Sequence, residues 1–364
     1  MFRTTPKLGA PSTVCEVVDT PADADAFPGL FIGVLPLHCW LELGAAERGG
    51  EVNCGSGSES ASGSAVEKTV ASPPQLAIAM STQWGSDLAA IVLPLRASDE
   101  EGRHWAASAP TRLSAPQSGS DRVLAVSARC GAIVVESSTP ISPSTLAMYT
   151  GQDVARAVAA AADGTGCCAT AAPCRHCARE FGESKAQPAR LAGEGLWWRT
   201  LRIPVPPSAG DASAAAAAAS ASTGAPTFIE VIACGPGPGP RTSRSDGAAA
   251  PRPHLPTVVY PHGGPHAAWS TTFHRRSAFL ALSGYLVLKV NYRGSTGFGG
   301  AALASLLGRV GEQDVGDVLL VLDALLASNS GARSDNAPGS ASASNALDLN
   351  CVLPAERVAY VGGR

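Results

Sequence analysis

The sequence lacks any strong excess of charge, and this absence excludes one class of partner. Its 364 residues contain 27 Lys and Arg against 30 Asp and Glu, which gives a formal net charge of −3. Nucleic-acid binding depends on basic blocks that neutralise a phosphate backbone, and the sequence has no such block. We therefore predict that the protein does not bind nucleic acid.

Long apolar runs are also missing. The most apolar segments, YLVLKV at 285–290 and VLLVLDALLA at 318–327, are far shorter than the roughly 20 residues that cross a bilayer. The opening MFRTTPKLGA has early positive charge but no apolar stretch after it, so it does not fit a secretory signal. We predict no membrane partner and a cytoplasmic location, with an organellar stroma as the alternative.

Aromatic residues are scarce, at 5% of the chain, whereas Gly (39) and Pro (28) are abundant. The length allows two domains. Segments rich in Ala, Gly, Ser and Pro interrupt the chain, however. These segments cannot bury enough apolar area to offset the conformational entropy that they would lose on folding. We interpret these segments as surface insertions, and they cover 48–65, 209–226, 235–253 and 328–346.

Ten cysteines are too few in a chain of this length for a disulfide scaffold, which is typical of a reducing compartment. Some of them lie close together at Cys167, Cys168, Cys174 and Cys177. The last two have the C-x-x-C spacing that can chelate Zn²⁺. A second well-spaced pair is missing, so we predict no metal and no cofactor, and metal binding by these cysteines stays an open alternative.

The part of the chain before residue 235 has the pattern of an all-β structure. Short apolar segments are bounded by Gly, Pro, Ser or Asp, as in antiparallel strands joined by turns. The clearest hairpin is AIAMSTQWGSDLAAIVLPL, in which Gly85, Ser86 and Asp87 separate two apolar runs. Several such strands in succession indicate an all-β structure.

After Pro253 the pattern changes to alternating strands and helices. Buried strands are predicted within 255–264, 285–294 and 357–364, and helices within 269–284 and 312–328. This β-α-β-α-β order is typical of a doubly wound parallel sheet. The predicted apolar face of the second helix consists of Val315, Val318, Leu319, Leu322, Leu325 and Leu326.

Two motifs in this second part favour acyl-transfer chemistry. PHGGPH, at 261–266, follows a buried strand, and its glycine pair leaves backbone N–H groups free to point at an oxyanion. The last predicted strand runs into Gly362 and Gly363. Small residues there permit the strained turn of a nucleophile elbow, and Arg364 stands where the serine is expected.

These motifs occur together with two others in a characteristic order. VVYPHGGPHAAW, VLKVNYRGSTGFGG and GRVGEQDVGDV, followed by RVAYVGG, resemble the start of the catalytic domain of the prolyl oligopeptidase family of serine peptidases. The resemblance is greatest to the acylaminoacyl-peptidase branch. Three separate motifs in the same order make chance a poor explanation.

The resemblance implies a partial β-propeller followed by the first half of an α/β-hydrolase domain. The implied propeller covers 1–234 and includes low-complexity insertions, a Pro/Gly-rich linker covers 235–253, and the hydrolase part covers 254–364. We expect the chain to be the N-terminal portion of such an enzyme. The substrate would be a short N-acylated peptide, and the number of copies in the assembly is left open, with a homo-oligomer as one possibility.

The resemblance also implies roles for the residues of the glycine motif. The backbone N–H of Gly264 would form part of the oxyanion hole. His262, Gly263 and Pro265 would shape the loop, and His266 would line the pocket. Histidines in such loops are more often hydrogen-bond partners than acid-base catalysts, so we expect no catalytic proton transfer from either one.

Other residues carry two interpretations each. Arg293 lies either at the pocket edge or in carbonyl contacts that hold its own loop. Asp314 and Asp317 are either a catalytic carboxylate pair or, as we expect, residues in the first turns of a helix, where the helix dipole favours them. The serine would stand at the position of Arg364, and the Asp and His of the triad follow the serine in α/β-hydrolases. We therefore expect these 364 residues alone to be inactive.

The predicted reaction of the whole enzyme is acyl transfer to serine and hydrolysis, which releases an N-acylated amino acid from a blocked peptide. Two alternatives are kept. A carboxylesterase or lipase would use a similar loop but would need a helical cap in place of the β-rich part. A non-catalytic interaction protein would bind partners through the propeller.

Overall fold

The computed structural model describes residues 27–31, 36, 38–43, 75–97, 105–162, 178–180, 195–206, 228–237, 254–329 and 358–361. In these ranges the strands form three separate sheets. Within the same ranges, no helix has both the length and the apolar character needed to cross a membrane.

The first sheet is an antiparallel meander, and it confirms the predicted hairpin. Its strands lie in the order β1 (Trp40–Leu43), β2 (Gln75–Trp84), β3 (Asp87–Ala97) and β4 (Trp105–Ala107), and β5 (Thr111–Arg112) also pairs with β3. The pairing of Trp84 with Asp87 leaves a two-residue turn at Gly85 and Ser86. Gly85 has a φ of +60°, as a type II′ turn requires at its first central position.

The second sheet is also antiparallel, and it shares a core with the first. Its strands are β6 (Ser120–Val126), β7 (Ile133–Thr139), β8 (Ser142–Tyr149) and β9 (Ala178–Glu180), and helix α1 (Gly151–Ala162) follows β8. Apolar side chains of both sheets and of α1 pack into one cluster, which excludes water from the space between them. The cluster includes Leu41, Ala79, Val92, Leu113, Val123, Ile133, Val135, Tyr149 and Val154.

The third sheet combines antiparallel and parallel strands. In spatial order it consists of β10 (Leu196–Pro204), β11 (Phe228–Pro236), β13 (Leu286–Asn291), β12 (Thr257–Pro261) and β14 (Val358–Tyr360). Strand β12 runs parallel to both β13 and β14, whereas β11 is antiparallel to β10 and to β13. The predicted β-α-β-α-β segment is thus confirmed as a set of three parallel strands.

The third sheet includes strands from both sides of the boundary that the sequence suggested. Residues up to 234 were expected in the propeller, yet β10 and β11 belong to the same sheet as β12 and β13. The apolar residues of β11 fit an antiparallel strand in either domain, and only their pairing distinguishes the two. Ala233 lies opposite Leu288 of β13, so this sheet begins at Leu196 and includes strands on both sides of the 235–253 segment.

Two predicted helices lie on opposite faces of this sheet. Helix α2 (Arg275–Leu282) contacts β11 and β13, and after the short α3 (Gly300–Ala304) helix α4 (Gln313–Asn329) packs on the other face. The buried face of α4 is rotated from the predicted one. Val315 and Leu319 are 50% and 48% exposed, whereas Val321 is fully buried. The rotation turns Asp317 towards the sheet, where its side chain is paired.

A lysine lies fully buried in the central strand of the third sheet. Lys289 of β13 has no solvent exposure. Its ammonium group donates to the carbonyl of Ser270 at 3.1 Å and lies 5.3 Å from the centre of the Trp269 ring. Burial disfavours the charged form and lowers the pKa of Lys289 from 10.5 to about 8.

Replacement of Lys289 by Met should change how stability depends on pH. Below pH 8 the buried ammonium destabilises the fold, and this penalty is relieved between pH 8 and 10.5, where the folded chain has lost a proton that the unfolded chain still holds. We expect the stability of Lys289→Met relative to the parent to fall by about 2 kcal/mol between pH 7 and 9.5. Urea unfolding at both pH values measures this difference.

Cys234 is the main interfering group in this test, because burial raises the pKa of its thiol to about 11. It is present in both chains, so the comparison isolates Lys289. Equal stability differences at pH 7 and pH 9.5 would show that the lysine does not change its charge in the folded chain.

Candidate active site

The carboxyl ends of β12 and β14 lie side by side. The two strands pair in parallel, with Val259 opposite Tyr360, and the amide of Val361 donates to the carbonyl of Val259 at 3.0 Å. Segments that follow these strands therefore leave the sheet at the same edge, where open α/β sheets bind their ligands. The predicted elbow residues Gly362, Gly363 and Arg364 lie outside the described residues.

The loop after β12, residues 262–266, is termed the glycine loop, and Gly264 is its exposed point. Gly264 has a φ of +124°, and a Cβ built on it would lie 3.1 Å from the Cβ of Ala267. Both observations restrict the position to glycine. The amide of Gly264 donates no hydrogen bond to any other residue that the structure describes. It is thus available to an acceptor from outside, as an oxyanion-hole donor must be.

The glycine loop is held by a second loop, residues 292–299, termed the supporting loop. His262 Nε2 lies 2.7 Å from Ser295 Oγ, and His266 Nδ1 donates to the carbonyl of Gly294 at 3.0 Å. The two motifs recognised separately in the sequence therefore form one unit in space. His266 itself is exposed next to Gly264, at the position expected of a pocket residue.

Tyr292 supports the glycine loop from below. Its hydroxyl donates to the carbonyl of His262 at 3.0 Å and contacts that of Pro265 at 3.3 Å. Its ring stacks on the imidazole of His262 at a centroid distance of 4.2 Å. Tyr292 is not among the site residues predicted from the sequence. Its position directly after a buried strand and ahead of the Arg-Gly pair is the signal that points to it.

His262 is held by hydrogen bonds to both nitrogens of its imidazole. Burial lowers its pKa below the usual 6.5, so the imidazole is neutral at neutral pH. The Ser295 hydroxyl has one proton and donates it to the carbonyl of Tyr292 at 2.6 Å. His262 Nδ1 in turn lies 3.1 Å from the carbonyl of Gly263, so both ring nitrogens have a hydrogen-bond partner. These contacts agree with a residue that shapes the loop.

Arg293 holds the supporting loop to α4. Its guanidinium contacts both carboxylate oxygens of Asp317, with the shortest distance 2.6 Å, and its backbone amide donates to the same carboxylate at 2.8 Å. Asp317 is 1% exposed. Of the two interpretations of Arg293, the structure therefore supports the one in which it holds its own loop, with Asp317 as a partner that the sequence did not reveal.

Asp314 has the role expected of a residue in the first turn of a helix. Its carboxylate accepts the amide of Gly311 at 2.7 Å, ahead of α4. Asp314 and Asp317 thus have separate partners, and they do not act as a carboxylate pair.

Asn291, the last residue of β13, holds the chain that leaves the glycine loop. Its amide oxygen accepts the backbone N–H of Trp269 at 2.8 Å, and its nitrogen donates to the carbonyl of Trp269 at 2.9 Å. The Trp269 indole in turn donates to the carbonyl of Tyr260 at 2.7 Å. A polar residue at the end of a buried strand, directly before the Tyr-Arg-Gly segment, was the available signal for Asn291.

The described residues contain no group of three or more His, Cys, Asp or Glu side chains that could hold a metal ion. The cysteines of the alternative metal site, Cys167, Cys168, Cys174 and Cys177, lie outside those residues. What the described site offers chemically is an exposed backbone donor on a rigidly supported loop at the edge of a parallel sheet.

Comparisons with known proteins agree with the motifs. The chain is 54% identical over 68 residues to acylamino-acid-releasing enzyme 1 of Oryza sativa subsp. japonica, which is 19% of this chain and 9% of the relative. It is 46% identical over 80 residues to the acylamino-acid-releasing enzyme of Homo sapiens, 22% of this chain and 11% of the relative. The chain thus matches about a tenth of the length of these relatives, and the resemblance to acylaminoacyl peptidases is confirmed.

No protein-family profile matches the chain. Among solved structures, an acylaminoacyl peptidase of Pyrococcus horikoshii aligns with a TM-score of 0.40 at 13% identity, covering 70% of this chain and 29% of that one. A puromycin-hydrolyzing peptidase of Mycobacterium tuberculosis aligns with a TM-score of 0.43 at 19% identity, covering 79% and 32%.

Replacement of Asp317 by Asn should destabilise the chain through its contact with Arg293. The change removes the charge of a buried partner of the guanidinium, and we expect the free energy of unfolding to fall by about 2 kcal/mol. Asp323 lies on the same helix but is exposed, and Asp323→Asn should change the same quantity by less than about 0.5 kcal/mol. Urea unfolding compares the two variants, and equal effects would contradict the assigned role of Asp317.

Proposed function

We propose that the protein carrying this chain is a serine hydrolase of the acylaminoacyl-peptidase type. The observation that carries this proposal is the amide of exposed Gly264. It has no acceptor among the described residues, and it lies in the loop after β12, the strand that pairs with β14. The identity of 46–54% to acylamino-acid-releasing enzymes supports the same conclusion.

The proposed domain assignment follows from the three sheets. The first and second sheets are antiparallel with four or five strands each, as propeller blades are. The third sheet, with helices on both faces, corresponds to the first half of an α/β-hydrolase domain. On this assignment the hydrolase part begins at Leu196, and the 235–253 segment becomes a connection between two of its strands.

The proposed mechanism uses the site edge at the ends of β12 and β14. A serine on the elbow after β14 attacks the carbonyl carbon of the N-acylated residue, and a histidine base takes its proton. The Gly264 N–H and the amide after the serine stabilise the oxyanion. The C–N bond then breaks, the histidine protonates the leaving amine, and water hydrolyses the ester to release the N-acylated amino acid. No step requires a cofactor.

The described N-terminal region favours this proposal over a carboxylesterase or lipase. Up to residue 162 it contains eight strands and the helix α1 within the described ranges, whereas a lipase-type cap would be helical. The proposed substrate is a short N-acylated peptide, and the proposed location is the cytoplasm, with an organellar stroma as the alternative.

Replacement of Gly264 by Ala tests the proposal in the full-length protein. Alanine disfavours the φ of +124° and brings a methyl group against Ala267, so the amide turns away from the oxyanion. We expect kcat for acetyl-alanine p-nitroanilide to fall by about 100-fold with little change in KM, since the lost interaction acts in the transition state. Steady-state kinetics measure both constants.

Gly308 provides the matched control, because it has a φ of +75° with nothing within 4 Å of an added Cβ. Gly308→Ala has similar backbone strain away from the glycine loop and should keep the parent kcat. Equal losses in both variants would overturn the role of Gly264. If the full-length protein cleaves p-nitrophenyl esters but no blocked amide, the esterase is favoured, and if it cleaves neither, the non-catalytic alternative is favoured.

A further inference from the structure

The β2–β3 hairpin turn of the first sheet reaches the third sheet. The segment 85–87, termed the hairpin turn, is buried at Ser86 and Asp87, which are 2% and 4% exposed. The Ser86 amide donates to the carboxylate of Glu230 on β11 at 2.8 Å. The hairpin turn is therefore part of the junction between the first and third sheets, and its polar backbone is hydrogen-bonded to the third sheet.

The hairpin turn contacts the supporting loop and the segment that follows the glycine loop. The amide of Gly85 donates to the carbonyl of Gly297 in the supporting loop at 2.8 Å. The carbonyl of Ser86 accepts the amide of Thr271, which follows the glycine loop, at 2.7 Å. Main-chain bonds of this kind fix the position of the backbone directly, without depending on a side-chain conformation.

A chain of hydroxyl groups ends on the buried carboxylate of Asp87. The Thr271 hydroxyl donates to Asp87 Oδ1 at 2.6 Å and lies 2.8 Å from Ser120 Oγ. Because Thr271 has a single hydroxyl proton, Ser120 donates to Thr271. The other carboxylate oxygen accepts from Arg112 Nη2 at 2.5 Å and from the amide of Gln117 at 2.7 Å. Burial strengthens such a network and makes each lost member costly.

Asn291 connects this network to the glycine loop. One proton of its side-chain nitrogen goes to Ser86 Oγ at 2.9 Å and the other to the carbonyl of Trp269 at 2.9 Å. The amide of Thr296 also donates to the carbonyl of Ala267 at 2.9 Å. The segment that leaves the glycine loop is therefore held at Ala267, Trp269 and Thr271, and the hairpin turn provides the last of these attachments.

We propose that the hairpin turn is a positioning element for the glycine loop. It acts through Thr271, which is hydrogen-bonded to Ser86 and Asp87 of the turn. The first sheet thereby sets the position of the Gly264 amide, and the peptidase activity depends on contact between the two parts of the chain. This inference rests on the proposed function. Ser86, Asp87 and Thr271 touch no substrate in it and act only through the loop.

The test uses Thr271→Val, which keeps the shape of the side chain and removes its hydroxyl. Thr271→Ser keeps the hydroxyl and serves as the conservative variant. Thr257→Val is the matched control, because Thr257 is equally buried on β12 and bonds only the carbonyl of Leu255, at the far end of the strand. Steady-state kinetics are measured in the full-length protein with acetyl-alanine p-nitroanilide.

We expect Thr271→Val to lower kcat about tenfold with KM within about twofold of the parent, because a displaced donor weakens transition-state binding. Thr271→Ser should restore most of the loss, and Thr257→Val should behave as the parent. A kcat for Thr271→Val within twofold of Thr257→Val overturns the proposal. If Thr271→Val does not fold, Ser86→Ala takes its place, since it removes only the bond from Asn291.

Hydrogen exchange of the 364-residue chain gives a readout that does not need activity. Amides within 262–271 should exchange faster in Thr271→Val than in the parent or in Thr257→Val. Unchanged exchange in this segment overturns the positioning role. If the full-length protein cleaves no blocked peptide, the proposed function fails, while the exchange data still decide whether the hairpin turn orders the glycine loop.

Discussion

The central position of β13 is the constraint on which the rest of the third sheet depends. It pairs with β11 on one side and with β12 on the other, and every one of its six residues is buried. Leu286, Leu288 and Val290 face the apolar cluster under α4, and Val287 faces the cluster that includes Ala281 of α2. Asn291 and the supporting loop lie at the carboxyl end of β13. The position of this strand therefore determines the position of the candidate site.

The junction between the first and third sheets is polar at its centre. Asp87, Glu230 and Asn291 are each less than 5% exposed and each hydrogen-bonded across the chain. Buried ionic and polar groups contribute little net stability, but their bonds are directional. A junction of this kind fixes one relative placement of the two parts. Apolar packing alone would tolerate sliding, because it is not directional.

Local patterns were sufficient for several elements, because their signals lie within a few residues. The Gly85–Ser86 turn between two apolar runs predicted the hairpin, and the alternation after Pro253 predicted three parallel strands. Local sequence patterns did not predict the correct contacts where an element has two possible packing partners. Apart from Glu230, strand β11 is apolar on both faces, and this pattern suits a strand in either sheet. On α4, the burial of Asp317 depends on Arg293, which is distant along the sequence.

The amino-acid sequence by itself determined the parallel strands, the glycine loop and the resemblance to acylaminoacyl peptidases, since strand length, turn glycines and motif order are local properties. Only the tertiary structure decided that β10 and β11 join the third sheet and that the hairpin turn reaches Thr271. Pairing between distant segments is set by which buried surfaces and polar groups match in space. No short stretch of sequence contains that information. The local sequence of each segment is compatible with its strand or turn whether or not the distant segment packs against it.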